Sequence, residues 1–432
     1  MRLSPWDNPH TLTRAWCLWE VYCSVEGGAN FSVAFGPAER KSFEAALCDP
    51  NTLTNFDPIT DAFATIDVEN ARAGNPADEK MIKDTVRALQ PSSDGGLSGF
   101  DLINSVAMRQ MERWYFSEMQ RVLDGHRVDG SLTELGLQLA NTIAIALINR
   151  GQKVEARQLF VEAAAASEQL HGPLHWRTLQ SKQNVAEFLK DTEGPTAETR
   201  EKFAELIPLC EACEQLGARH NWTLQVKLNL GVVQRGLGEL ESARTIIDDV
   251  INIAAETLKS SADEPVTENS TNQNTAKRAL LLTAKEELAI LFKMQAERPR
   301  SDNERDEKAH AAVALYSELL LLLKDSVGEK HNRSLQCKLN FANVLAMPWS
   351  GRDGARAQEL YTAVCAGFEV QYGAGHPSTL VAKVNFAIFL KAEGDATGAN
   401  TLFQQVVSSS AANLKDAGWY TYAAKEVESF AQ

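Results

Sequence analysis

One eight-residue pattern, met four times, constrains this chain more than any other feature. Gly172-x-x-His175-x-x-Thr178-Leu179 recurs as Gly217-x-x-His220-x-x-Thr223-Leu224, as Gly328-x-x-His331-x-x-Ser334-Leu335 and as Gly373-x-x-His376-x-x-Thr379-Leu380. Five residues after each Leu stands an Asn (Asn184, Asn229, Asn340, Asn385), and two further on a small residue (Ala186, Gly231, Ala342, Ala387). Four of the eight histidines thus share one repeat position. The small-residue position extends to two weaker units at Ala144 and Ala289, with successive spacings of 42, 45, 58, 53 and 45 residues. A period of this size is that of a stacked helical array, because one helix pair cannot bury its apolar face alone.

Each unit reads as two helices. In the first, Leu380, Val384, Ala387 and Leu390 hold the spacing of one apolar face. A Gly (Gly151, Gly238, Gly394) then marks a turn. The second helix carries a small–x3–large–x2–apolar pattern: Ala156/Phe160/Ala163, Thr199/Phe203/Leu206, Ala243/Ile247/Val250, Ala312/Tyr316/Leu319, Ala357/Tyr361/Val364 and Ala399/Phe403/Val406. Small residues let the helices approach and the large one fills the space above them. At the junction, Gly373 suits a left-handed helix end, and His376 an N-cap with Pro377 at the first helical residue. Histidines about 45 residues apart along such an array cannot converge on one metal ion, so capping and packing is their expected role.

The unit resembles the tetratricopeptide repeats of kinesin light chains and related signalling ATPases, over about residues 131–410. The resemblance implies a right-handed superhelix whose first helices line a concave groove, where the Asn often holds the backbone of an extended peptide. That role falls on Asn184, Asn229, Asn340 and Asn385. Helical geometry places the Asn about 140° from the core Leu, away from the packed face. A Lys two residues earlier recurs as well (Lys182, Lys227, Lys338, Lys383). It sits at the packing edge, with its stem along the neighbouring helix and its head exposed. These amide and ammonium groups form the expected groove row, and the basic heads favour an acidic or C-terminal peptide.

The expected fold is mostly α: a solenoid of about six helix pairs with a small N-terminal α/β segment. Its divisions are an N-terminal segment at 1–125, units near 131–170, 173–216, 218–258, 276–325, 329–372 and 374–410, and a capping helix over 411–432 containing Trp419, Tyr420 and Tyr422. The two long spacings coincide with polar stretches at 259–275 and 296–306, which read as loop insertions. With degenerate first and fourth units, the insert divides the expected groove into two three-repeat halves.

The first 125 residues do not follow the period. Helices are predicted over Leu12–Val25 and around Ala38–Leu47, Ala77–Leu89 and Phe100–Leu123, with a short buried strand at Asn30–Phe35 and a Ser/Gly-rich break at Ser92–Gly99. Ser4-Pro5-Trp6 followed by Arg14-Ala15-Trp16-Cys17-Leu18-Trp19-Glu20 resembles the latter half of a TIR-like domain. In NAD-cleaving members of that family the matching Glu is catalytic, which corresponds to Glu20. The strands and nucleotide-contacting loop that would precede it have no counterpart here, so a structural cap is the expected role.

Composition narrows the functions further. A net charge of −14 with no basic stripe argues against nucleic acid. The most apolar run, Leu319–Leu323, is too short to cross a bilayer, and no signal core follows Met1, so a cytoplasmic address is expected. Seven scattered cysteines read as reduced thiols, and Cys210-x-x-Cys213 as core thiols without a second ligand pair. Asp67–Glu69 and Asp302–Asp306 lack calcium-ligand spacing, and Gly95-Gly96-x-x-Gly99 follows no strand as a phosphate loop would. The expected function is a non-enzymatic protein-interaction scaffold that binds an extended peptide or a helix of another protein, without cofactor or metal. Alternatives are a TIR-like NAD hydrolase regulated by the repeats and a kinesin cargo adaptor, the latter disfavoured because residues 1–130 lack sustained heptads.

Overall fold

The computed structural model describes residues 10–29, 31–47, 63, 65–89, 98–260, 268–409 and 417–431. Ser4–Trp6, Asn30, Cys48 and Gly95–Gly96 of the features above lie outside them. The described chain is an α-solenoid of seventeen α-helices, grouped in two compact units, Met1–Thr192 and Glu193–Gln432. The division falls between the two helices of the second repeat pair.

The first unit begins with a 3-10 turn (His10–Thr13), then α1 (Ala15–Glu26), α2 (Pro37–Leu47), α3 (Pro76–Ala88) and α4 (Gly99–Gly125). An Asp129-Gly130 hairpin joins β1 (Arg127–Val128) to β2 (Ser131–Leu132), with both turn residues at positive φ as such a two-residue connection requires. Three helices follow: α5 (Glu134–Asn149), α6 (Lys153–His171) and α7 (Trp176–Glu193). The helices α1 and α3 pack on α4. An aromatic cluster closes this region, with the Phe43 ring 5.0 Å from Phe35, 5.6 Å from Trp114 and 6.2 Å from Tyr115. The strand expected at 30–35 does not form among the described residues. Residues 31–36 carry a single bridge position, at Ala34. A lone parallel bridge, Arg14 to Arg72, is the other β contact described in this segment.

The second unit carries α8 (Ala197–Ala212), α9 (Asn221–Gly236), α10 (Leu240–Ser260), α11 (Glu268–Glu297), α12 (Asp302–Ser326), α13 (Asn332–Ala346), α14 (Gly354–Tyr372), α15 (Pro377–Ala392), α16 (Ala396–Ser409) and α17 (Gly418–Ala431). Each helix packs on the next, and the first helices of successive pairs also meet directly: α9 with α11, α11 with α13, α13 with α15. The last helix, α17, packs on α15 and α16, with the Tyr422 ring edge-on to Phe403 at 5.9 Å.

The repeated residues explain the repeat. All six small–large–apolar triplets are buried, and Ala144, Ala186, Ala289, Ala342 and Ala387 are inaccessible. At the equivalent Gly231 a Cβ would stand 2.9 Å from Ile247, so the glycine makes room for that larger neighbour. Gly172, Gly217, Gly328 and Gly373 all have φ near +80 to +90°; Gly172, Gly328 and Gly373 close the ends of second helices, and Gly217 closes the turn that follows α8. Nδ1 of His175, His220, His331 and His376 accepts from the backbone N–H two residues on, at 3.1–3.2 Å. The hydroxyls of Thr178, Ser334 and Thr379 then donate to the carbonyls of Gly172, Gly328 and Gly373 at 2.7–2.9 Å. One motif thereby stops a helix, starts the next and ties the two together.

The ends of the polar stretches are helical. Residues 259–260 finish α10 and residues 268–275 begin α11, residues 261–267 lying outside the described ones, while the second stretch holds a short link before α12, whose N-cap Ser301 accepts from the Glu304 N–H. The extra residues lengthen helices: α11 has 30 and α12 has 25 residues. Nor does the insert divide the core, since one buried apolar cluster runs from Leu224 through Ala289 to Ala423.

Candidate functional site

The first-helix row is not the uniform ladder its spacing predicts. Asn340 and Asn385 are half-buried, without a hydrogen-bond partner among the described residues. Asn184 is half-buried and donates to Asn141 Oδ1 at 3.2 Å. Asn229 departs from the expectation: it is only 7% exposed and accepts from Gln225. The reason is tertiary, because α9 packs against α8, α10 and α11 and little of its circumference stays open.

The lysines depart further, and the expected row of exposed ammonium groups is corrected. Lys182 pairs with Glu168 at 2.9 Å and Lys383 with Glu369 at 3.1 Å, each a carboxylate of the preceding second helix. Lys227 pairs with Glu211 at 2.9 Å and Asp249 at 3.1 Å. Burial works against its charge, yet the hydrogen bonds it donates to these two carboxylates hold its pKa above the usual lysine value. Lys338 donates to the Glu329 carbonyl at 3.3 Å. An ammonium drawn to a packing edge loses water and needs a counter-charge. Lys182, Lys227 and Lys383 join second helices to first helices and Lys338 binds the junction backbone, so the argument for an acidic ligand falls with them.

A second amide row escaped the reading above. Gln180, Gln225 and Gln336 each directly follow the repeat Leu and precede the Asn by four residues, one helical turn. The signal was present as a fifth repeated position. Gln180 and Gln336 are exposed.

The fourth pair breaks the row with charge. Glu287 takes the Asn position, and its neighbour Glu286 lies beside it on α11. Glu287 holds Arg235 of α9 at 2.8 Å, and Glu286 holds Arg333 of α13 at 2.8 Å. Two adjacent carboxylates therefore bind α11 to the first helix on either side. Between α11, α12 and α13 lies a cavity of about 100 Å³, lined by Glu286, Glu287, Ile290, Tyr316, Arg333, Gln336, Cys337 and Asn340. Burial pushes the Cys337 thiol up to about 12 and Cys210 up to about 11, so neither is a thiolate nucleophile at neutral pH. Cys210 and Cys213 are both buried free thiols, as their spacing in a helix suggested.

Glu20 lies exposed on α1. Nearby, Trp16 Nε1 donates to Asp78 at 3.3 Å and ties α1 to α3. Among the described residues no group of His, Cys, Asp and Glu stands in metal-binding array, and no helix is long and apolar enough to cross a membrane.

Comparison with known proteins agrees with the repeat class. A tetratricopeptide repeat family matches residues 137–176, from α5 to the start of α7. No curated protein matches the chain. Among solved structures, BtubC (BKLC) from P. vanneervenii is similar at 17% identity over 60% of this chain and 90% of its own, with a TM-score of 0.45. A putative kinesin light chain of Podosopora anserina with nearly identical TPR-like repeats is 19% identical over 55% of this chain and 96% of its own, with a TM-score of 0.39. Yeast Tom70 is 13% identical over 96% and 85%, with a TM-score of 0.37.

Proposed function

We propose that this chain is a protein-interaction scaffold whose first-helix face holds an extended peptide segment of a partner protein. The observation that carries the reading is the pair Gln336 and Asn340, one turn apart on α13 beside a cavity, with no hydrogen-bond partner among the described residues. Each carboxamide offers a donor and an acceptor, the set that a peptide backbone presents in return. Asn184, Asn385 and Gln180 extend the same chemistry at equivalent repeat positions. Because Lys182, Lys227 and Lys383 are ion-paired within the chain and Lys338 is bound to a backbone carbonyl, recognition rests on the peptide backbone rather than on its charge.

In this reading the chain is a cytoplasmic binder and not an enzyme. The TIR-like helix around Glu20 serves packing through Trp16 and Leu18. Turnover of NAD by the full chain, abolished in Glu20→Ala, would overturn that part. The groove is tested by selecting peptides from a random display library on the full chain and measuring their affinity for a Gln336→Ala/Asn340→Ala variant. Binding weaker by roughly tenfold or more is expected if two or three hydrogen bonds are lost. Unchanged binding of every selected peptide, by a variant with unchanged thermal unfolding, would refute the groove.

A further inference from the structure

Two tyrosines occupy the same repeat position on second helices, Tyr316 on α12 and Tyr361 on α14, and both are almost wholly buried. Their hydroxyls differ. That of Tyr361 donates to Asn343 Oδ1 on α13, the first helix of its own pair, at 2.7 Å. In the pair of Tyr316 the position equivalent to Asn343 is Ile290, which can neither donate nor accept. The Tyr316 side chain is 1% exposed and its hydroxyl has no hydrogen-bond partner. A buried hydroxyl without a partner is unfavourable, and native proteins seldom keep one unless something else meets it.

Tyr316 and Ile290 both line the cavity of about 100 Å³ described above, together with Gln336, Asn340 and the two glutamates of α11. We infer that this cavity is a side-chain pocket of the peptide-binding face, taking a short uncharged side chain that both donates and accepts hydrogen bonds, best matched by the carboxamide of asparagine. The inference rests on the proposed peptide-binding role and adds the chemistry of one ligand residue.

Size and charge exclude the other classes. At about 100 Å³ the cavity takes about three waters or four heavy atoms, too few to enclose an aromatic ring. A ligand carboxylate would face Glu286 and Glu287. A ligand cation would compete with Arg333 and Arg235, which those carboxylates already hold. An aliphatic side chain would leave the Tyr316 hydroxyl and the Asn340 amide unmet.

The test uses the peptide library selected on the full chain, with each peptide assayed for dependence on Asn340. Those that depend on it are expected to share an Asn, Ser or Thr at one position. Replacing that residue by Ala should weaken binding to the native chain by roughly three- to tenfold, the effect of one hydrogen bond. Against Tyr316→Phe the same peptide change should cost almost nothing, giving a non-zero coupling between the two sites. Ile290→Asn, which supplies the internal partner seen at Asn343, should likewise abolish the preference. Both variants should unfold at or above the native temperature, since neither leaves a buried hydroxyl unpaired. Asn340-dependent peptides with zero coupling to Tyr316, or with an acidic or aromatic residue enriched instead, would overturn the pocket and leave the groove standing. A selection without any Asn340-dependent peptide would overturn both.

Discussion

The N-terminal helices and the repeat pairs bury apolar residues by different means. In the N-terminal segment the contacts are particular: Phe43 meets Phe35, Trp114 and Tyr115, an arrangement not repeated among the described residues. In the pairs the same contacts recur, with a small residue under a large one and a glycine, a histidine and a hydroxyl at each junction. An array built from nearest-neighbour terms can lose one pair and keep the rest, whereas a single core fails as a whole. That difference predicts how far damage spreads.

The largest effect is expected at the aromatic centres. Phe43→Ala and Phe403→Ala should each cost about 3–5 kcal/mol, read from denaturant unfolding. Hydrogen exchange separates them: protection should fall across α1, α2 and α4 together for Phe43→Ala, but only over α15–α17 for Phe403→Ala. Equal loss over α9–α14 in the second variant would break the comparison.

A smaller effect isolates the junction. Gly373 has φ +87° and open space where a Cβ would stand, so Gly373→Ala should cost about 1–2 kcal/mol from backbone strain alone. An unchanged melting temperature would mean that the left-handed helix end is dispensable.

The smallest effect sharpens the role of histidine. A capping Nδ1 must be unprotonated to accept, and desolvation lowers the pKa of His175 and His220 from the ordinary value of 6.5. The unfolded chain therefore binds these protons more readily than the folded one. Their contribution should be fully present above about pH 6.5 and be lost as pH falls through the lower folded values, by up to about 1 kcal/mol per cap. In His220→Asn, which caps without titrating, this part of the acid sensitivity should shrink in thermal unfolding measured between pH 7 and pH 5.

The sequence showed the paired helices and their junctions, because those determinants lie within a few positions of each other. The His331 side chain caps the N–H of Arg333, and Ser334 reaches back only to Gly328. The candidate row was legible as positions, including the unnoticed Gln180, Gln225 and Gln336, but not as surfaces. Whether Asn229 faces solvent depends on how α9 and α11 pack, and whether Lys383 is free depends on Glu369 across the junction. Pairing at 30–35 is out of reach for a related reason, since a strand is a pairing and its partner cannot be read from the strand itself.

By itself, then, the sequence determined the repeat: its period, the four glycine–histidine junctions, and the small-under-large packing, all set by side chains acting on their own or the adjacent helix. Tertiary structure decided what the polar residues of that repeat do. It carried α11 and α12 into stretches where loops were expected, and it tied Lys182 and Lys383 into carboxylates on the preceding helices. It also left the Tyr316 hydroxyl facing no partner where Tyr361 has Asn343. A polar group brought out of water takes the nearest complementary group in space, and that distance is not written in the spacing of residues along the chain.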